Sequence, residues 1–287
     1  MPAPPAGTVE LPRRPLDVFR WVFGAGAVVL ILWSLLRIDI KWSRLWDAPS
    51  DLWTIGTLMF GRMESGDIGK LSGAMWESIA IAWLGTIIAA VFAIPLSFLA
   101  AENLVGRPVA WVTRQVFNIL RAVPEVILAL AFIPLFGLTP MAGVMAIGVG
   151  SIGTLGKLFY EIHEGIKTGP LEAADAVGAS RLQRMRWGVI PQVTPEMTSF
   201  LLYRFEVNIR ASAVLGLVGA GGIGSDISQA LLFKDWGTAG LGLIIVVVGT
   251  IIVDTISGAV RRRIVSGRQS ATTTTEPELA ITGGVLG

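Results

Sequence analysis

Two pairs of charged residues interrupt apolar runs at helical spacing: Arg121 with Glu125, and Glu206 with Arg210. Residues four apart share a helix face, so each pair can meet on its own helix. Glu206 lies about 11 residues beyond Pro195, roughly 17 Å along a helix, which is near the midplane if that run crosses a bilayer. An ionisable side chain there costs roughly 2.5–3.5 kcal/mol on insertion scales, so it needs a partner or a water-filled path. Two chemistries fit. Arg121 and Arg210, joined by Arg204, Asn208 and Ser212, could offer transient hydrogen bonds to a passing anion, a task that suits the guanidinium fork. Alternatively, each pair neutralises itself and serves as structural glue between spans or subunits. The residues alone leave both open.

Other chemistries are narrower. There is no cysteine, which removes disulfides, thiolate metal sites and a cysteine nucleophile. The single histidine, His163, sits in a charged stretch without a second ligand at metal spacing, so a solvated surface histidine and no metal site are expected. An intramembrane enzyme acting on lipid would need a nucleophile and a base, and this composition supplies no such couple, so no catalytic residue is assigned. Gly219, Gly221, Gly222 and Gly224 match G-x-G-x-x-G literally, but a dinucleotide site needs a preceding strand. Here the glycines follow an apolar helical run. They are read as a tight re-entrant turn at its extracytoplasmic end, either a flexible gate or a place where small residues let helices pack. No Walker A lysine motif occurs, so any ATP belongs to another chain.

The elements that must hold these residues are membrane spans. Of 287 residues, 53% are hydrophobic and only 15% charged, with a mean hydropathy of +0.66. A net charge of +2 and a pI near 9.2 reflect arginines at helix ends rather than a nucleic-acid partner. Apolar runs long enough to cross a core of about 30 Å predict an all-α integral membrane protein with six transmembrane helices. The runs are Trp21 to Leu36, Ser78 to Ala101, Ala110 to Phe136 bent near Pro124, Met141 to Ile162, Thr194 to Gly219, and Trp236 to Val253. The first resembles a signal peptide but lacks a small-residue cleavage site, so it is read as retained. Arg13, Arg14 and Arg20 precede the runs, Arg181, Arg184 and Arg186 lie in the loop between the fourth and fifth, and Arg261 to Arg263 follow the last run. The positive-inside rule therefore places both termini in the cytoplasm. Residues 1–17 form a cytoplasmic segment. Residues 18–70 hold the first span and an extracytoplasmic interfacial segment with a helix from about Ser50 to Phe60, residues 71–262 the core, and 263–287 a disordered cytoplasmic tail.

Within the core, residues 167–193 are too structured for a mere connection. Gly169-Pro170 starts a short helix with Glu172 and Asp175 in its first turns, where the helix dipole favours acids. Gly178 is a natural terminator for it. Ser180 can cap a second helix, amphipathic through Leu182, Met185 and Val189 and ended by Pro191. Two short helices joined by a glycine turn form a peg for a protein groove or a bilayer surface.

Glu172-Ala173-Ala174, then Gly178, then Ile190-Pro191 resemble the EAA loop of ABC importer permeases, with Gly188 departing from the usual apolar β-branched residue and softening the second helix. The resemblance covers roughly Leu71 to Val260 and is to the transmembrane type-1 domain of binding-protein-dependent importers. Leu120 to Glu125, and more distinctively Phe205 to Gly224, resemble the phosphonate-transport permeases. The resemblance implies a homodimer in a prokaryotic cell membrane, two copies of a cytoplasmic ABC ATPase, and an extracytoplasmic phosphonate-binding protein. It implies that Glu172, Ala173, Ala174, Gly178 and Pro191 belong to the coupling helix that seats in the ATPase, and that ATP and Mg are bound there, with no cofactor on this chain. The anion met by the intramembrane arginines is then a phosphonate. Another oxyanion or an amino acid is the alternative cargo, and a passive channel the alternative machine.

Overall fold

The computed structural model describes residues 18–38 and 42–273. The expected N-terminal segment, 1–17, lies outside the described residues, as do positions 274–287 of the expected tail. Twelve α-helices are described, α1(Val18–Arg37), α2(Trp42–Gly61), α3(Ile68–Ala100), α4(Glu102–Val105), α5(Arg107–Ala122), α6(Glu125–Phe136), α7(Pro140–Glu164), α8(Gly169–Ala176), α9(Arg181–Gln183), α10(Ile190–Gly216), α11(Ile223–Leu232) and α12(Trp236–Thr273), with a short 3-10 helix at Ser65–Asp67 and a π segment at Arg184–Val189. Among the described residues no strand occurs.

The chain divides into two units, Met1–Thr54 and Ile55–Gly287. In the first, α1 is apolar along its length and every residue whose burial is described is exposed. α2 crosses the boundary and corrects the expected interfacial helix, because it begins at Trp42 and carries Pro49 in its interior. The Ser50 hydroxyl bonds back to the Asp47 carbonyl at 2.7 Å and the Thr54 hydroxyl to that of Ser50 at 2.8 Å, so helical geometry continues on both sides of the proline.

The second unit is organised around α7. Within its apolar stretch 67% is buried, against 17% in α12, so α7 is the central helix and α12 a peripheral one. Small residues make that possible. A Cβ on Gly85 would stand 2.6 Å from Ile147, so α3 can lie against α7 with its backbone in contact. Phe117, Leu155, Phe159, Val189 and Val193 fill one end of this packing, and Ile81, Ile147, Leu215 and Ala220 the other. His163 continues the buried face of α7 one turn past Phe159. It is wholly buried, shares a hydrogen bond with Ser97 at 3.0 Å, and stacks on Phe98 at 4.2 Å. The solvated histidine expected from its charged neighbours is thus wrong, because helical phase overrode local composition.

By length and composition four helices can cross a membrane, Phe19–Arg37, Ile68–Ala100, Pro140–Glu164 and Trp236–Ile264, and a fifth span forms if α5 and α6 count as one. Six were expected. The difference is α10, whose arginines and glutamate disqualify it on apolarity although it is 27 residues long. The bend expected near Pro124 is a break: α5 and α6 meet at 84°. Proline disfavours helical backbone in the residue before it, and Val123 is accordingly extended at φ −90°, ψ 118°. α12 also runs past Val253 and on through the stretch from 263, expected to be disordered, as far as Thr273.

Candidate functional site

The break between α5 and α6 opens a cavity of about 420 Å³ lined by Arg121, Pro124, Glu125, Gly150, Thr154, Arg204 and the apolar side of α10 at Ala211, Val214 and Leu215. α7 seats both sides of the break through two glycines one turn apart. A Cβ on Gly153 would lie 2.6 Å from the Phe117 carbonyl and 3.0 Å from Arg121 Cγ, and one on Gly150 would lie 2.9 Å from Glu125 Cγ.

The charges do not pair within their own helices, although the spacing allowed it. Glu125 is bound by Arg204 of α10, not by Arg121. The 84° turn removes Arg121 and Glu125 from a common face, and Arg121 has no partner among the described residues. Arg204 also donates through Nε to Ser151 Oγ at 3.0 Å. Ser151 Oγ in turn lies 3.3 Å from Asn208 Oδ1, and Asn208 Nδ2 donates to Thr86 Oγ1 at 2.9 Å. Thr86 closes the chain by donating to the Ala82 carbonyl at 2.7 Å. Asn208 is wholly buried and Ser212 nearly so, hence neither lines the cavity. Ser212 instead donates to the Ser78 carbonyl at 3.0 Å.

The second expected pair also separates. Glu206 is bound by Arg261, and Arg210 donates to Asp254 Oδ2 at 3.1 Å, so both tie α10 to α12 and neither belongs to the cavity. Sequence reasoning missed Ser151, Thr154, Thr86, Asp254 and Arg261. A signal existed for Asp254, the acid that ends the uncharged run from Trp236. None marked the buried hydroxyls.

The glycine turn is a hairpin between α10 and α11. Gly219, Gly221 and Gly222 hold φ of 90°, 79° and 71°, values that disfavour side chains. Ser78 Oγ accepts the Ile223 N–H at 2.9 Å, and Gly221 lies against Pro140, so the turn is packed between α3 and the start of α7.

The loop at 167–193 forms as a peg on its first half. α8 carries Pro170 and Glu172 in its first turn. Ala179 N donates to the Ala174 carbonyl at 3.0 Å and Gly178 N to that of Asp175 at 3.0 Å, a Schellman closure with Gly178 at φ 70°. Ser180 makes the capping box with Gln183. The second half corrects the expectation that Pro191 ends a short helix. Arg184–Val189 is a π segment that leads without a break into α10, with Pro191 in that helix's first turn, where its missing N–H is harmless. Gln192 fastens the junction, accepting from Lys167 N at 3.0 Å and donating to the Gly188 carbonyl at 2.6 Å. Glu172, Ala173, Gly178 and Pro191 are exposed and Ala174 half-buried. Val177, Leu182 and Trp187 point outward, each more than 70% exposed.

Gly188, expected to soften the second helix, lies inside the π segment. It packs on α8, and an added Cβ would meet Leu171 at 3.4 Å, an ordinary contact. Gly188→Ala should therefore stabilise the protein by about 0.5–1 kcal/mol, since glycine costs that much inside a helix. A higher melting temperature of the solubilised protein is the expected reading; a lower one would mean that α8 needs the glycine's clearance.

Helices long and apolar enough to cross a membrane, packed around paired charges, define an all-α membrane protein. The model of the family described as "Binding-protein-dependent transport system inner membrane component" matches residues 93–266, and the chain belongs to that family. It is 38% identical over 187 residues to the phosphite transport system permease protein PtxC of Stutzerimonas stutzeri, covering 65% of this chain and 68% of that one. It is 37% identical over 261 residues to the phosphate-import permease protein PhnE of Mycolicibacterium smegmatis, covering 91% of this chain but 44% of that longer protein. Among solved structures, a chain of the MetNI methionine ABC transporter in an inward-facing conformation superposes with a TM-score of 0.64 at 20% identity, over 70% of this chain and 99% of that one, which shows a shared fold.

Proposed function

We propose that this chain is the permease subunit of an ATP-driven importer of phosphonates or related phosphorus oxyanions. The observation that carries the cargo is the identity gradient: permeases named for phosphite or phosphate are 33–38% identical, whereas D-methionine permeases are 25–27% identical. The cavity suits that cargo, because its lining holds two arginines against one carboxylate. Weak, reversible contacts serve a conduit better than tight ones, since the solute must leave as readily as it enters.

In this reading α10 is a further span, made tolerable by pairing its charges with α6 and α12, which brings the total to six and puts both termini in the cytoplasm. Two copies enclose one pathway above two copies of an ATPase. α8, with Glu172, Ala173, Ala174 and Gly178, seats in that ATPase beside the exposed Val177, Leu182 and Trp187. Because the π segment joins this peg directly to α10, displacing α8 moves the helix that carries Arg204. The glycine hairpin at Gly219 to Gly224 faces the extracytoplasmic side as a gate, where a binding protein delivers the solute. ATP and Mg are held by the partner chain.

The test is ATP hydrolysis by the reconstituted complex with its binding protein across phosphite, phosphate, methylphosphonate and D-methionine. Stimulation by a phosphorus oxyanion, with uptake into vesicles, is expected. Stimulation by D-methionine alone would overturn the cargo assignment.

A further inference from the structure

We propose that the cavity divides its two arginines by role: Arg121, with the Thr154 hydroxyl, holds the anion, and Arg204 is a fixed wall that does not bind it. The proposal deepens the importer reading and rests on it only for the identity of the anion.

Two of the five N–H donors of Arg204 are committed, and they fix the orientation of its guanidinium. One guanidinium nitrogen binds Glu125, and Nε binds Ser151 Oγ at 3.0 Å. Ser151 is wholly buried and held by Asn208, itself wholly buried and anchored on Thr86. Turning Arg204 toward a solute would strip a carboxylate of its charge partner and break into a satisfied buried network, which is costly in a low-dielectric interior. Glu125 cancels the charge of Arg204, so of the charged residues lining the cavity Arg121 alone is uncompensated.

Arg121 is placed differently. Its guanidinium offers five N–H donors in a planar fork, and none has a partner among the described residues. Thr154 also lines the cavity without a hydrogen-bond partner there. An unpaired guanidinium in a membrane-spanning segment is unfavourable unless it meets water or an anion. The backbone holds Arg121 in position all the same, since Gly153 brings α7 into contact with its Cγ and its main-chain nitrogen. The α6 N-terminus opens on the same cavity with Pro124 as its cap and no side chain bonded to its amides, which adds the positive end of a helix dipole. A tetrahedral oxyanion matches this set: two oxygens on the Arg121 fork and a third accepting from Thr154.

The experiment measures anion binding directly on the assembled permease and ATPase complex in nanodiscs, by phosphorus NMR line broadening of inorganic phosphate and methylphosphonate. Arg121→Gln should weaken binding about tenfold or more, as expected for loss of a charge-assisted bidentate contact. Thr154→Val should weaken it several-fold, and Arg121→Lys should fall between Arg121→Gln and the parent, because charge survives and the fork does not. Size-exclusion profiles and melting curves confirm assembly of each variant; where Arg121→Gln fails to assemble, Thr154→Val and Arg121→Lys decide. Parental binding in the assembled variants, or no phosphorus broadening by the parent protein, overturns the proposal. If Arg121→Gln abolishes binding but parent vesicles import no phosphorus oxyanion, the anion subsite stands and the importer's cargo assignment falls.

Discussion

Arg204→Gln should destabilise the protein by about 3–5 kcal/mol, the range for removing one partner of a buried ion pair, because Glu125 is left as an uncompensated charge beside the cavity. The Arg204 and Glu125 side chains retain 12% and 23% exposure, which favours the lower end of that range. The same substitution removes the Nε donor from Ser151, but Ser151 keeps Asn208, so the network behind it is loosened rather than lost. The diagnostic comparison is the double variant Arg204→Gln with Glu125→Gln, which removes both charges. Thermal unfolding of the solubilised protein should recover most of the lost stability in the double variant, since the larger part of the cost is the orphaned carboxylate. Equal instability of the single and double variants would show that the pair contributes through packing rather than charge.

Gly224→Ala should disrupt the hairpin between α10 and α11. Its Cβ would fall 1.9 Å from the Ala213 carbonyl oxygen and 2.9 Å from Gly216 Cα, both main-chain atoms that cannot rotate away. Relief requires α11 to lift off α10, so the cost belongs at or above the top of the usual range for overpacking, about 3 kcal/mol. The expected readings are a lower yield of monodisperse complex and faster proteolysis next to Lys234 at the end of α11. Gly73→Ala on α3 is the matched control, because nothing lies within 4 Å of its added Cβ; there the change should stabilise by about 0.5–1 kcal/mol, the helix-propensity gain of alanine over glycine. A Gly224→Ala protein as stable as Gly73→Ala would mean that the two helices do not pack as closely as described.

The Schellman closure at Gly178, the capping box at Ser180 and the turn at Gly219 to Gly222 were legible because their causes are local. Each depends on one residue's φ or one side chain's reach to an amide three residues away. The second half of the loop was less so. Pro191 reads as a helix stop, yet a proline in the first turn of a following helix is equally well placed, and only the π segment before it decides between the two. His163 misled for a similar reason. Glu161 and Glu164 lie close to it in sequence, but its neighbours on the helix face, three and four residues back, are Tyr160 and Phe159.

What the sequence determined by itself is the solvent and the family: apolar runs specify a membrane protein, and the residues from Glu172 to Pro191 carry the resemblance to the family later matched over residues 93–266. What only the tertiary structure decided is the job of each intramembrane charge. The i, i+4 spacing allowed Arg121 to pair with Glu125 and Glu206 with Arg210, but Arg204 reaches Glu125 across 79 residues of sequence and Arg261 reaches Glu206 across 55. Charge pairing is set by distance in space, and in a bundle whose helices are held together by glycine contacts, the nearest opposite charge lies on a neighbouring helix.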